Sequence, residues 1–125
     1  MNPAEPLRVG VLPLARPTFD VPYAEQMCAD AWKLMEQIPV DWVGSSGLLF
    51  DAKSVESQLS EFKNEHLDLL LVLQMTFTDA SMTVKLAETF DVPLLFWSFP
   101  EKRTGGRLRL NSLCGVNLAA HALGK

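Results

Sequence analysis

A chain of 125 residues has the length of one ordinary domain, and its 48% apolar residues are enough for a core without disulfides or bound metal. A net charge of −4 argues against nucleic acid and against an anionic membrane surface as partners, because both need a basic face. The two cysteines, Cys28 and Cys114, lie in apolar helical patterns without a second cysteine or a histidine at ligand spacing, which predicts reduced, buried thiols in a cytoplasmic protein.

The first six residues are polar and proline-rich, and they lack the basic start and apolar stretch of a signal peptide. The apolar run from Leu7 to Leu12, closed by Pro13, reads as a buried strand. Arg16, Pro17, Thr18, Phe19 and Asp20 form a loop. From Pro22 the period changes: Ala24, Met27, Cys28, Ala31, Leu34, Met35 and Ile38 fall at three- and four-residue steps, giving a helix with one apolar face. Asp20 is placed to cap it, Pro22 sits in its first turn, and Pro39 ends it.

Val40, Asp41, Trp42 and Val43 make a weaker strand whose alternation predicts an edge position. Gly44, Ser45, Ser46 and Gly47 form a turn. Asp51 or Ser54 opens a second helix, with Val55, Leu59 and Phe62 inward and Glu56, Glu61, Lys63 and Glu65 outward. The stretch from Leu67 to Leu73 is the most apolar strand and is placed centrally. Its longest uninterrupted apolar run, Leu69 to Leu73, is far too short to span a bilayer.

Asp79 is placed as the cap of a third helix through Phe90, with Met82, Leu86 and Phe90 inward. The run from Val92 to Trp97 reads as a fourth strand. A charged, glycine-containing loop follows, and Asn111 or Ser112 opens a last helix rich in alanine and leucine.

This alternation predicts parallel strands, right-handed crossovers and helices on both faces. The expected fold is a flavodoxin-like, Rossmann-like three-layer α/β/α sandwich over residues 1–125. Its sheet has four or more strands in the order 2-1-3-4. A further strand usually follows the last helix in such folds, so the chain is expected to be one domain of a longer protein.

Ligands of open parallel sheets gather at the carboxyl ends of the strands. Here those ends are residues 15–20, 44–47, 74–79 and 98–106. They carry hydroxyl, amide and guanidinium groups beside Phe19, Phe77 and Trp97, a mixture that suits a small sugar. Capping and turn formation account for Thr18, Asp20 and Asp79, whereas Arg16 and Gln74 have no such role.

Other chemistries are excluded. The first strand–helix turn has neither the glycines of a dinucleotide fingerprint nor a Ser/Thr-rich phosphate loop, and the third strand ends in Gln74 rather than a phosphoacceptor aspartate. Thr104, Gly105 and Gly106 offer a short backbone cradle for an anion. His66 and His121 lie far apart, neither cysteine lies at a strand's carboxyl end, and no metal site or nucleophile–base pair is expected.

Four segments carry a resemblance: VGVLP at residues 9–13, LQMTFTD at 73–79, PLLFWSFPE at 93–101 and TGGRLRLNSLCG at 104–115. Together they resemble the N-terminal domain of the fucose-isomerase-like proteins, which include L-fucose and L-arabinose isomerases. The resemblance implies a metal-dependent aldose–ketose isomerase whose Mn²⁺ or other divalent metal, and whose acid–base residues, lie in later domains. This domain would then hold no cofactor and would be inactive alone. Its partners would be a small-molecule sugar, neighbouring subunits and the later domains of the same protein. Placed on this sequence, the resemblance assigns substrate contact to Arg16, Gln74, Phe77 and Trp97, with Glu101, Arg103, Thr104, Gly105 and Gly106 as further loop or anion contacts. The alternative is a stand-alone sugar-binding or regulatory module without catalysis.

Overall fold

The expected strand and helix signals resolve into eight elements in a computed structural model that describes residues 5–124. In chain order they are β1 (Arg8–Leu14), α1 (Val21–Met35), β2 (Asp41–Gly44), α2 (Ala52–Phe62), β3 (Leu69–Gln74), α3 (Ser81–Thr89), β4 (Leu94–Ser98) and α4 (Ser112–Leu123). The strands form one parallel sheet in the order β2-β1-β3-β4.

Successive strand residues point to opposite faces, and this divides the core in two. Val9, Val11, Leu71 and Leu73 meet Ala24, Cys28, Ala31 and Met35 of α1 on one face. Leu12, Leu70 and Val72 meet Val55, Leu59 and Phe62 of α2 and Leu86 of α3 on the other. Because β3 is covered on both faces, its sequence is a continuous apolar run rather than an alternating one. α4 packs on α3, β3 and β4, which leaves α1 as the one described helix on its face. Leu95, on the α1 side of edge strand β4, is accordingly 52% exposed.

Strand β1 runs one residue past Pro13, where the sequence predicted its end. Proline is usually excluded from central strands because it lacks an N–H. Here the Pro13 carbonyl accepts from the Leu49 backbone N–H at 2.8 Å, on the side where β2 has already stopped at Gly44. The missing donor therefore falls beyond the end of the neighbouring strand. Gly44 itself has φ +130°, and a Cβ there would lie 2.5 Å from the Val11 carbonyl oxygen.

The helix caps explain most of the boundaries. Asp20 caps α1 by accepting from Tyr23 N–H at 3.1 Å. Asp51 and Ser54 form a reciprocal capping box on α2, so both candidates take part. Helix α3 differs from expectation: Ala80 is at its cap and makes no side-chain bond, while Asp79 stands one residue earlier and binds Ser81. α1 stops at Met35, whose carbonyl accepts from the Trp42 indole N–H at 2.8 Å. Leu34 points outward and Ile38 lies past the helix end, so both are exposed instead of completing the apolar face. Cys114 is also a correction. It precedes the inward-facing Gly115 on α4 and is turned to solvent, so only Cys28 is a buried thiol. No described helix is long and apolar enough to cross a membrane.

Candidate functional site at the carboxyl edge of the sheet

The end of β1 delivers Arg16 to the carboxyl edge. Its backbone N–H donates to the Thr76 hydroxyl at 2.7 Å, which ties the first loop to the third. Its guanidinium lies 5.7 Å from the centre of the Phe77 ring and 3.4 Å from an Asp79 carboxylate oxygen. Phe77 in turn lies 6.4 Å from Phe19. Two of the sequence-predicted contact residues, Arg16 and Phe77, are thus brought together as a cation over an aromatic face. A cavity of about 260 Å³ opens beside them, lined by Arg16, Phe50, Asp51, Thr78, Asp79, Ser81 and other residues. The Ser81 hydroxyl and backbone N–H hold the Asp79 carboxyl below the usual carboxylate range, with a smaller contribution from the charge of Arg16.

Gln74 and Trp97 are placed differently. Gln74 is fully buried. Its side-chain N–H groups donate to the Thr76 carbonyl at 2.8 Å and to the Thr78 hydroxyl at 2.9 Å, while its Oε1 has no protein partner. Gly115 of α4 approaches so closely that a Cβ there would lie 3.0 Å from the Gln74 side chain. The Ser112 hydroxyl donates to the Gln74 backbone carbonyl and accepts from Phe99 N–H at 2.8 Å, joining β3 and β4 to the start of α4. Trp97 stacks on Phe99 with ring centres 5.0 Å apart and packs against the α1-side core.

The loop after β4 is closed at its base by one carboxylate. Glu101 accepts from the backbone N–H groups of Arg109 at 2.7 Å, Leu110 at 3.0 Å and Asn111 at 2.7 Å. Asn111 adopts the left-handed conformation, φ +52°, immediately before α4, and the three N–H groups converge as an anion nest. The nest adjoining this helix is therefore filled by the protein's own Glu101. The closed base is tied onward by Asp20 N–H to Arg109 carbonyl at 3.0 Å and Phe77 N–H to Leu110 carbonyl at 2.7 Å. Arg103, Thr104, Gly105 and Gly106 lie exposed at the tip, with both glycines at positive φ.

Sequence reasoning passed over Tyr23, Arg107 and Arg109. Lys102 and Arg109 both lie over the Tyr23 ring, at 4.9 and 5.8 Å, and the Tyr23 hydroxyl donates to the Pro100 carbonyl. Arg107 lines a cleft with Thr18, Phe19 and Arg109. The readable signal was the recurrence of Lys and Arg across residues 102–109 of an acidic chain. At the opposite, amino-terminal edge lies another cavity, of about 340 Å³. Arg8, Asp41, His66 and Asp68 are among its lining residues, and Arg8 is paired with Asp41 and Glu65.

The family model for the fucose/sulfoquinovose isomerase N-terminal domain matches residues 10–125. The chain belongs to this family. Similar proteins include the sulfoquinovose isomerases of Priestia aryabhattai and of Priestia megaterium (strain ATCC 12872 / QMB1551). Each is 30% identical over 112 residues, covering 90% of this chain and 25% of the relative. The sulfoquinovose isomerase of Alkalicoccus urumqiensis is 28% identical over 117 residues, covering 94% of this chain and 26% of the relative. The chain thus spans about a quarter of the length of these relatives. No solved structure matches it significantly.

The resemblance that pointed to this family also implies a divalent metal. Among the described residues no three His, Cys, Asp or Glu side chains come together as a metal site. His66 reaches only Asp68, at 3.7 Å and at the wrong edge of the sheet. The described residues do not fit the metal, and what the fucose/sulfoquinovose isomerase domain offers at its carboxyl edge is a set of hydrogen-bonding and aromatic groups.

Proposed function

We propose that this chain is the substrate-recognition and assembly domain of an aldose–ketose isomerase that acts on a sulfonated sugar of the sulfoquinovose type, and that it is not catalytic alone. The observation that carries this reading is the Arg16–Phe77 pair at the carboxyl edge of a chain in the fucose/sulfoquinovose isomerase family. The names of the relatives favour sulfoquinovose over the neutral fucose and arabinose.

Transfer of a hydrogen between C1 and C2 of an open-chain sugar needs a base at the carbon, and a divalent metal supplies polarisation of the two oxygens. Neither task is assigned to residues of this chain. Arg16 donates to sugar hydroxyls from a fixed position, because Phe77 and Asp79 hold its guanidinium. Phe19 and Phe77 cover the C–H face of the sugar and exclude water from it. The remaining parts, metal ligands and base, are assigned to polypeptide outside this chain, and neighbouring subunits to its surface.

The test is conversion of sulfoquinovose to its ketose, followed by NMR, with the complete protein that carries this domain and a divalent metal. The 125-residue chain is run beside it under the same conditions. Turnover by the complete protein and none by the chain is expected. Chelator-sensitive turnover by the purified chain, or no turnover by the complete protein, would overturn the proposal.

A further inference from the structure

We infer that the cleft between residues 18–20 and 107–109 seats the anionic group of the substrate, with Arg107 as its principal donor. The inference rests on the sulfonated-sugar reading and assigns that reading's charged end to a place. The cleft has a volume of about 280 Å³ and is lined by Thr18, Phe19, Asp20, Arg107, Leu108 and Arg109. That is room for a sulfonate or phosphate with its methylene and part of a ring.

The charges around the cleft are already sorted by the fold. Four of the chain's 11 Lys and Arg residues, Lys102, Arg103, Arg107 and Arg109, fall in eight consecutive positions. The one carboxylate of that loop, Glu101, spends both oxygens on three backbone N–H groups and is turned inward. Arg109 is engaged by Asp20 at 3.7 Å and by the Tyr23 ring, and Lys102 by the same ring. Arg107 has no ion-pair partner among the described residues. A guanidinium binds the oxygens of a sulfonate or phosphate through two parallel N–H donors, and Thr18 brings a hydroxyl to the same cleft.

The cleft is also continuous with the sugar-facing cluster. Phe19 lines it and lies 6.4 Å from Phe77, the ring under Arg16. A sugar lying along Phe19 would place neutral hydroxyls toward Arg16 and its charged end toward Arg107. Gly105 and Gly106, both at positive φ, reverse the chain at the loop tip and return Arg107 to the edge of the sheet.

The experiment is a ligand titration of the isotopically labelled 125-residue chain, followed through backbone amide shifts. Three probes are compared: sulfoquinovose, glucose 6-phosphate and quinovose, in which a methyl replaces the sulfonated methylene. Sulfoquinovose should move the amides of Thr18, Arg107 and Arg109 at concentrations where quinovose does not. Arg107→Met should weaken its binding at least about tenfold and leave the rest of the spectrum in place. Glucose 6-phosphate binding more tightly than sulfoquinovose, with the same dependence on Arg107, supports the cleft and makes phosphate the source of the anion. Equal shifts with quinovose, or undiminished binding by Arg107→Met, would overturn the inference. Binding here without turnover by the complete protein defeats only the isomerase reading. Turnover of sulfoquinovose with an unchanged KM in Arg107→Met defeats only the cleft.

Discussion

The carboxylate of Glu101 accepts the backbone N–H of Asn111 at 2.7 Å, and the same group takes in the N–H groups of Leu110 and Arg109. A side chain at the start of the loop thereby holds its end, and the seven residues between them hang from a fixed base. The three N–H groups would otherwise be partly buried donors without partners. Leaving such donors unmade costs about 1–3 kcal/mol even where water reaches some of them.

Glu101→Ala is therefore expected to lower the thermal midpoint by roughly 5–10 °C and to speed amide exchange at residues 109–111. Glu101→Gln keeps an acceptor and should lose less. Calorimetry and hydrogen exchange check both. Unaltered exchange at 109–111 in the alanine variant would mean that the carboxylate does not hold the loop.

A second prediction concerns the end of β2. Gly44 has φ +130° and its missing Cβ would sit 2.5 Å from the Val11 carbonyl oxygen, a backbone atom with no room to retreat. Gly44→Ala should cost about 3 kcal/mol, combining backbone strain with displacement of β2 from β1. Gly47 is three residues away in the same turn, and its Cβ would meet nothing nearer than the Ser45 hydroxyl at 3.7 Å. Gly47→Ala should stay within about 0.5 kcal/mol of the parent. Urea unfolding of the two variants decides the matter, and equal losses would refute the steric account.

The parallel sheet was legible from the alternation of strands and helices, its order from the flavodoxin-like pattern that alternation suggests, and the two core faces from period. The run Leu69–Gln74 can only be a strand covered on both sides, and Val55, Leu59 and Phe62 can only be one helix face. Pro13 misled because the gap that tolerates it lies on a neighbouring strand. The sequence marks Glu101 only as a loop or anion contact; its partners are backbone amides eight to ten residues on, gathered by a left-handed Asn111 that no local pattern announces. Gln74 has the polarity of a contact residue at a strand's carboxyl end. The structure seals it beneath Gly115, a small residue whose significance depends on helix placement. Arg16 and Phe77 stand on two loops distant in sequence; the residue types could be read, but their pairing depends on the β1–β3 adjacency that the topology supplies.

The third prediction separates the structural and functional duties of the Arg16 cluster. Asp79 is held below the ordinary carboxylate range chiefly by the Ser81 hydroxyl and N–H, with Arg16 the smaller influence. A depressed carboxyl stabilises the fold above its unfolded value near 4, and that contribution is lost as pH falls through the lowered folded value. Ser81→Ala should therefore raise the Asp79 titration midpoint toward the ordinary range and soften the acid limb of stability. Arg16→Ala should move that midpoint much less. Its exposed ion pair with Asp79 contributes under about 1 kcal/mol, so the fold should persist. On the proposed function, in which Arg16 meets the sugar, Arg16→Ala in the complete protein should raise the KM for substrate several-fold. Carboxyl NMR titration and steady-state kinetics read the two effects independently. A large midpoint shift with unchanged KM in Arg16→Ala would make Arg16 a structural brace for Asp79 and remove it from the site.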